Sequence, residues 1–445
     1  MSDKEKEGLM EKIVSLCKRR GFVYQGSEIY GGLAGTWDYG PLGVALKKNI
    51  ENLWWRYFVD SRDDMYGIDS AILMNSKVWE ASGHVGGFSD PLVQCEKCKR
   101  RFRADHLVDE TKCPECGGKL SESRQFNMMF KTSVGSVDGS DTTVYLRPET
   151  AQGMFVNFKN IVDSYHPRLP FGIAQIGRNF RNEIAPRDFV FRVRELEIME
   201  LEYFIEEKSW EEQFEYWQKQ MLGWFKLLGF AQDDIREIEI PDGERAHYSK
   251  RTVDFHFNYP HKFDEIGGLA YRTDFDLRNH IEHSGVDLQY MDPNTNEKLV
   301  PHALEPTFGL GRHLLAVLVK AYTEDELGGE KRVYLKFPAH LAPVKAAVFP
   351  LLKNKPELVA KAREIYTALK KEIPQIVWDD NGNVGKRYRR QDEIGTPFCI
   401  TVDFDTLGET PEMKDTVTVR DRDSGAQERV AAADLPAYLL AKIRV

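Results

Sequence analysis

The segment Gly177 to Phe204, GRNFRNEIAPRDFVFRVRELEIMELEYF, constrains the fold more tightly than any other part of the chain. Its aromatic and aliphatic residues on either side of a proline-containing turn predict two strands. Yet Arg181, Glu183, Arg187, Arg192, Arg194, Glu195, Glu197 and Glu200 stand where a buried strand carries valine or isoleucine. Successive strand residues point to opposite faces. From Phe191, one face carries Arg192, Arg194, Leu196, Ile198 and Glu200, the other Phe191, Val193, Glu195, Glu197 and Met199. Both mix charge with bulk. One reading is a salt-bridge ladder on an exposed sheet. The other is an anion site, in which arginine forks meet phosphate oxygens, carboxylates hold a guanidinium or a cation, and Phe191 offers a stacking surface.

The 445 residues are long for one core, so two or three domains are expected, and 42% hydrophobic content is ample for each. Gly40 to Val59, GPLGVALKKNIENLWWRYFV, spaces Leu42, Ala45, Leu46, Ile50, Leu53, Trp54 and Phe58 as a long amphipathic helix behind a Gly-Pro start. Core packing and a subunit interface both explain such a helix. Strand-like runs broken by Gly, Ser and Asp turns, then helices, continue through Arg312 and predict an α+β fold with an antiparallel sheet. After Pro338 the pattern changes. A strand over 346–352, a helix over 357–371, a strand in IPQIVWDD, a helix in GKRYRRQDEI and strands in TPFCITVDFD and DTVTVRDRD predict a separate α/β domain. The expected division is 1–338 and 339–445.

Two C-x-x-C pairs, Cys95/Cys98 and Cys113/Cys116, are separated by 14 residues, in an insertion spanning about 91–122. Four thiolates around one tetrahedral zinc make a closed, structural site; reduced unliganded thiols are the alternative. The Gly-Gly after the second pair suits a tight ribbon turn. The charged start MSDKEKEGLMEK and the lack of any apolar run near the roughly 18 residues of a membrane span predict a cytoplasmic protein with no membrane partner. A net charge of −9 leaves any nucleic-acid contact to local patches.

FRNE, a loop containing Arg187, then Phe191 and Glu195, has the spacing of the second signature motif of class II aminoacyl-tRNA synthetases. GPLGVALKKNIENLWWRYFV resembles their first motif, a dimer-forming helix, and EPTFGLGRHLLAVL the third, a glycine turn opening a helix with Arg312 near its start. The three in order, over roughly 280 residues, are specific where each alone is weak. GFVYQGSEIYGGLAGTWDYGPLG, KVWEASGHVGGFSDP, LRPETAQGMFVNF, AHYS, YRTDFDL and GKRYRRQDEIGTP narrow the resemblance to the homodimeric glycyl-tRNA synthetases, from about Ile13 to the C-terminus.

This resemblance implies a class II catalytic domain with a zinc-ribbon insertion, then an anticodon-binding domain. It implies that glycine and ATP form glycyl-adenylate, whose glycyl group passes to the 3′ end of glycine tRNA. The implied ATP site comprises Arg181, Asn182, Glu183, Arg187, Phe191, Arg192, Val193, Arg194, Glu195, Leu196, Glu265, Ile266, Gly309, Leu310, Gly311 and Arg312. Arg181 and Arg312 are the implied catalytic residues: Arg181 on the α-phosphate and glycine carboxylate, Arg312 over the base and, with Arg187, on the terminal phosphate. Glu183 reads the adenine amino group, Phe191 stacks on the base, and Glu265 is a candidate Mg²⁺ ligand. The implied glycine site comprises Arg103, Glu149, Leu196, Glu197, Ile198, Met199, Glu200, Glu305, Pro306, Thr307, Phe308 and Gly309, with Glu149, Glu200 and Glu305 around the ammonium. The family commonly has serine where Thr307 stands. In GKRYRRQDEIGTP, Lys386, Arg387, Tyr388, Arg389 and Arg390 are candidate tRNA contacts, a solvated basic helix being the alternative. A non-catalytic synthetase-like accessory or tRNA-binding protein is the rival reading, opposed by the presence of Arg181, Glu183, Arg187 and Arg312; a synthetase for threonine, serine or proline is a second.

Overall fold

The computed structural model describes residues 3–135, 143–246 and 248–444; the turn over 136–142 and His247 of AHYS lie outside them. The α+β expectation holds. Seven strands, β1 (Met65–Gly67), β2 (Phe171–Phe180), β3 (Glu195–Ile205), β4 (Ile235–Glu239), β5 (Arg251–Asn258), β6 (Phe263–Thr273) and β7 (His302–Gly309), form one sheet in the order β4-β5-β6-β7-β3-β2-β1. Every pairing is antiparallel except β1 with β2. The longer helices of this part are α1 (Asp3–Arg20), α2 (Pro41–Trp55), α3 (Ala151–Tyr165), α4 (Trp210–Leu227), α5 (Phe275–Ser284) and α6 (Leu310–Ala321).

The central strands are buried on both faces, which is why they lack simple alternation. One face of β3, with Met199, Leu201 and Tyr203, packs with Phe308 of β7 against Ile50 and Trp54 of α2, Trp217 and Trp224 of α4 and Leu314 of α6. The opposite face offers Phe204 and Ala303 to Phe155 and Phe158 of α3 and Leu277 of α5. Proline at its first turn suits the start of α2. Gly43 presses that turn onto the chain: a Cβ there would lie 1.9 Å from the Phe22 carbonyl oxygen. The aromatic end of α2 fills this chain's own core, with Trp54 fully buried.

The C-terminal part is a second layered unit. Its strands β8 (Ala346–Pro350), β9 (Ile376–Trp378), β10 (Phe398–Val402), β11 (Thr416–Asp421) and β12 (Gln427–Ala431) run in the order β9-β8-β10-β11-β12. Helices α7 (Pro356–Glu372) and α9 (Leu435–Ile443) cover one face, and α8 (Val384–Glu393) the other. Leu341 and Ala342 still pack in the first core, and Ala346 opens the second. Arg332, on the hairpin strand Glu330–Leu335, reaches across to Asp392 of α8 at 3.1 Å. Arg19 and Arg20 of α1 both pair with Glu393.

Among the described residues, no helix is long and apolar enough to cross a membrane. Cys95, Cys98, Cys113 and Cys116 bring their sulfurs within 4.8 Å of one another. The Cys95–Cys116 and Cys98–Cys113 separations of 3.5 and 3.7 Å match the edge of a tetrahedron with Zn–S bonds of about 2.3 Å. Gly117 takes φ +66°, and a Cβ on Gly118 would meet the Cys95 sulfur at 3.0 Å, so the Gly-Gly is needed to close the knuckle. The residues present fit zinc, which would tie the two knuckles together.

Candidate active site

The register of β3 with β7 sets Glu200 opposite Thr307, on the face of the sheet that looks toward α3 and α5. Thr307 Oγ1 donates to Glu200 Oε1 at 2.9 Å, and the Thr150 hydroxyl, just before α3, donates to the other oxygen. Glu149 accepts from Gln152 Nε2 at 3.0 Å and lies 3.3 Å from His84 Nε2. Glu305 accepts from Arg272 Nη1 at 2.9 Å. Arg272 in turn clamps Asp276 with two bonds of 2.8 Å and lies over the Tyr248 ring, 3.8 Å from its centre. The three glutamates of the expected ammonium cage are therefore together and buried. The clamp that holds them, Arg272 and Asp276, is a feature that reading the residues one by one missed. Its only trace in the sequence is an arginine and an aspartate four residues apart in YRTDFDL, at a strand-to-helix junction.

Burial raises every carboxyl in the cage, and neighbours decide the outcome. For Glu149, the charge and hydrogen bond of His84, with Arg272, outweigh burial and hold the carboxyl well below the usual carboxylate range. For Glu200, burial and the adjacent Glu149 win over the two threonine donors, and its carboxyl is raised. Glu149 is thus the firmly ionised member, suited to a cation.

Beside the cage, Arg181 donates from Nε to the Pro148 carbonyl at 3.1 Å and stands in no ion pair among the described residues. Glu183 is buried, with Oε1 lacking a hydrogen-bond partner among the described residues and Arg192 3.8 Å away. Arg194 pins the chain over 34–35, donating from Nη1 to the Ala34 carbonyl at 2.8 Å and from its backbone N–H to that of Gly35. Arg312 meets Glu265 at 2.9 Å, and its guanidinium carbon lies 4.5 Å from the centre of the Phe191 ring. Arg312 therefore covers Phe191 directly, and a base placed between them requires the arginine to swing aside. The charge of Arg312 lowers the Glu265 carboxyl, while partial burial and Glu265 raise that of Asp254 to about 7. A Cβ on Gly311 would lie 2.9 Å from the Val190 carbonyl, so glycine there lets α6 dock on the loop before Phe191.

Other expected site residues are placed elsewhere. Glu195 and Glu197 lie on the opposite face of β3 from Glu200: Arg178 meets Glu195 at 2.5 Å, and Lys47 of α2 meets Glu197 at 2.6 Å. The salt-bridge ladder is real, but occupies one face only. Met199, Phe308, Leu310 and Ile266 bury their side chains in the principal core, and Pro306 shares the face of Phe308. Ile266 is the extra residue at a register shift between β5 and β6, which turns its side chain to the core face of Leu269 and Tyr271. Ile198 pairs with Gly309 of β7 and Leu196 with Asn179 of β2, the Asn182 N–H donates to the Met128 carbonyl, and Val193 is half-buried. Arg187 lies toward solvent beside Asp188, at 3.4 Å. Arg103 pairs with Asp90 and Asp105 at 2.8 and 2.7 Å, and its field reaches Glu183 and Arg192, so it stands beside these two and not among Glu149, Glu200 and Glu305.

The α8 cluster is also divided. Arg387 is buried and donates to the carbonyls of Pro350, Asp380 and Gly382 at 2.5, 3.1 and 2.7 Å. The Tyr388 hydroxyl bonds Thr401 Oγ1 at 2.7 Å, and its ring packs on Phe349. Both hold α8 on its sheet, a role that the run of basic letters hides. Arg390 is paired with Asp379 at 2.7 Å and Arg389 with Glu330 at 2.9 Å, leaving Lys386 exposed.

Comparisons with known proteins agree with this geometry. A family described as "tRNA synthetase class II core domain (G, H, P, S and T)" matches residues 130–321, and one described as "Anticodon binding domain" matches residues 345–442. The glycine–tRNA ligase of Clostridium acetobutylicum is 48% identical over 98% of this chain and 99% of its own length. That of Caldanaerobacter subterraneus subsp. tengcongensis is 48% identical over 98% of each, and that of Bacillus cereus 47% over 98% and 99%. A Giardia lamblia prolyl-tRNA synthetase, solved with prolyl-adenylate, superposes with a TM-score of 0.68 over 97% of this chain and 75% of its own, at 16% identity, a likeness of fold alone. With its cage, its arginines and near-full-length identity of this order, the chain belongs to the glycine–tRNA ligase family of class II aminoacyl-tRNA synthetases.

Proposed function

We infer that this protein activates glycine with ATP and transfers it to the 3′ end of glycine tRNA. The observation that carries the site assignment is the link between its two ends: Arg181 bonds the carbonyl of Pro148, the residue next to Glu149. A ligand whose ammonium meets Glu149, Glu200 and Glu305 and whose carboxylate meets Arg181 must be short, because consecutive residues fix both ends. No covalent enzyme intermediate is required. The glycine carboxylate attacks the α-phosphorus of ATP, and Arg181 offsets the charge that builds on the phosphoryl oxygens. Pyrophosphate leaves, and the 3′-terminal ribose hydroxyl of the tRNA then attacks the glycyl carbonyl and releases AMP.

Glu183, with its unpartnered buried oxygen, is suited to accept from the adenine amino group, and Arg192 and Arg187 to meet phosphates. Glu265 and Asp254 would hold Mg²⁺, a cation usually bound through one or two carboxylates plus phosphates, and would orient it against the triphosphate. Specificity follows from exclusion: three carboxylates with their donors fill the space where a larger amino acid carries its side chain. The domain junction belongs near Pro338, and the C-terminal unit is the anticodon reader, with Lys386 the α8 residue best placed to touch RNA. A homodimer formed through the region of α2 is supported by the exposed Ile29, Tyr30 and Leu33 near its start. A cytoplasmic setting would keep the four thiols reduced for zinc.

The test is Arg181→Ala. Glycine-dependent ATP–pyrophosphate exchange is expected to fall at least about a hundredfold, with unfolding temperature unchanged. Near-parental exchange would remove Arg181 from the reaction.

A further inference from the structure

Next to the cage lies Glu202, an acid that the adenylation chemistry leaves unused. The register pairs Glu200 with Thr307 and Tyr203 with Leu304, so Glu202 of β3 sits directly across from Glu305 of β7. On its other side its neighbour is Ile173 of β2, which offers no polar group. Like charges directly opposite each other in a sheet are destabilising, and these two residues are 0% and 7% exposed. Their partners differ. Glu305 accepts from Arg272 Nη1 at 2.9 Å, whereas neither carboxyl oxygen of Glu202 has a hydrogen-bond partner among the described residues.

The charged groups that face Glu202 are Glu305 from β7, Arg272 from β6, Glu200 from its own strand and Asp276 from α5. Of these four groups, Arg272 is the one cation. Two facing carboxyls in a site closed to water do not both ionise, and the one without a donor keeps the proton. Burial pushes both carboxyls well above the usual carboxylate range, so the donor that Arg272 gives Glu305, and that Glu202 lacks, sets which of the two holds the proton.

We propose that Glu202 is a neutral positioning acid: it shares one proton with Glu305 across β3 and β7, and that proton fixes the Glu305 carboxylate in place for the glycine ammonium. The device keeps the cage anionic toward its ligand without a further buried charge behind it. It rests on the reading of Glu305 as part of the glycine site.

Glu202→Gln keeps the shape and a hydrogen-bond donor, whereas Glu202→Leu keeps only bulk. In pyrophosphate exchange, E202Q is expected to retain a glycine KM within about threefold of the parent, and E202L to raise it roughly tenfold or more, with the ATP KM unchanged in both. The proton is read directly in ligand-free protein at neutral pH: the infrared difference spectrum of parent minus E202Q should contain the stretch of a protonated carboxyl. Absence of that band, or a rise in glycine KM for E202Q as large as for E202L, or no rise for E202L, overturns the proposal. Because the infrared measurement uses no glycine, its result stands apart from whether the cage binds glycine.

Discussion

Replacing Arg272 by methionine should damage this protein more than any other single change in the cage. The guanidinium is 1% exposed, makes two bonds of 2.8 Å to Asp276 and one of 2.9 Å to Glu305, and stacks on Tyr248. Methionine fills part of the volume but leaves two buried carboxyls without their cation. Removing one partner of a buried pair typically costs about 3–5 kcal/mol, much of it the desolvation of the charge left behind. For a large domain that corresponds to a fall in unfolding temperature of roughly 6–20 °C. The loss should also depend on pH. Burial already raises the Glu305 carboxyl, with Arg272 opposing, and without Arg272 it rises further in the folded state, while in the unfolded chain it titrates near about 4.3. An acid whose folded pKa lies above its unfolded value loses stability as pH climbs from the unfolded value toward the folded one. The deficit of R272M relative to the parent is therefore expected to be larger at pH 8 than at pH 5.5. Thermal unfolding of both proteins at the two pH values is the assay. An R272M protein within about 2 °C of the parent at both, less than the shift from 1 kcal/mol, would refute the reasoning that Arg272 neutralises buried charge.

Metal analysis of purified protein should find about one zinc per chain, as four thiolates around one ion require, and none in a Cys95→Ser/Cys113→Ser variant; metal-free native protein would contradict the assignment. In α8, Arg387→Ala should lower the stability of the C-terminal unit by roughly 1.5–3 kcal/mol in denaturant unfolding, since a charged donor to three carbonyls is lost. Lys386→Glu should leave stability and pyrophosphate exchange unchanged but raise the KM for glycine tRNA severalfold; equal effects of the two substitutions on tRNA charging alone would show that Arg387 is a contact after all.

The fold was legible where periodicity and spacing act locally. Gly-Pro at the start of α2, the paired cysteines and the alternation change after Pro338 each point to one structure. β12 and α9 escaped notice, since Gln427–Ala431 is a largely exposed edge strand without a buried face to reveal it. Within Gly177–Phe204, alternation along β3 was visible, but which face met the ligand was not: that is decided by whether α2 or α3 packs on it. Hence Glu200 and Glu197, three residues apart, have different fates, one held by threonines in the cage and the other by Lys47. Likewise, Arg387 and Lys386 are adjacent letters of one basic run, and only tertiary packing separates the buried carbonyl clamp from the exposed cation.

The central claim is that three buried glutamates next to Arg181 make a pocket for glycine. Its most direct measurement is ATP–pyrophosphate exchange by the parent protein across glycine, alanine, serine, threonine and proline. The account predicts exchange with glycine, with alanine slower by at least about a hundredfold, because excluding a β-carbon from a closed polar cage costs more than the few kcal/mol of a missing methylene. Comparable exchange with alanine or serine, or none with glycine, would contradict it.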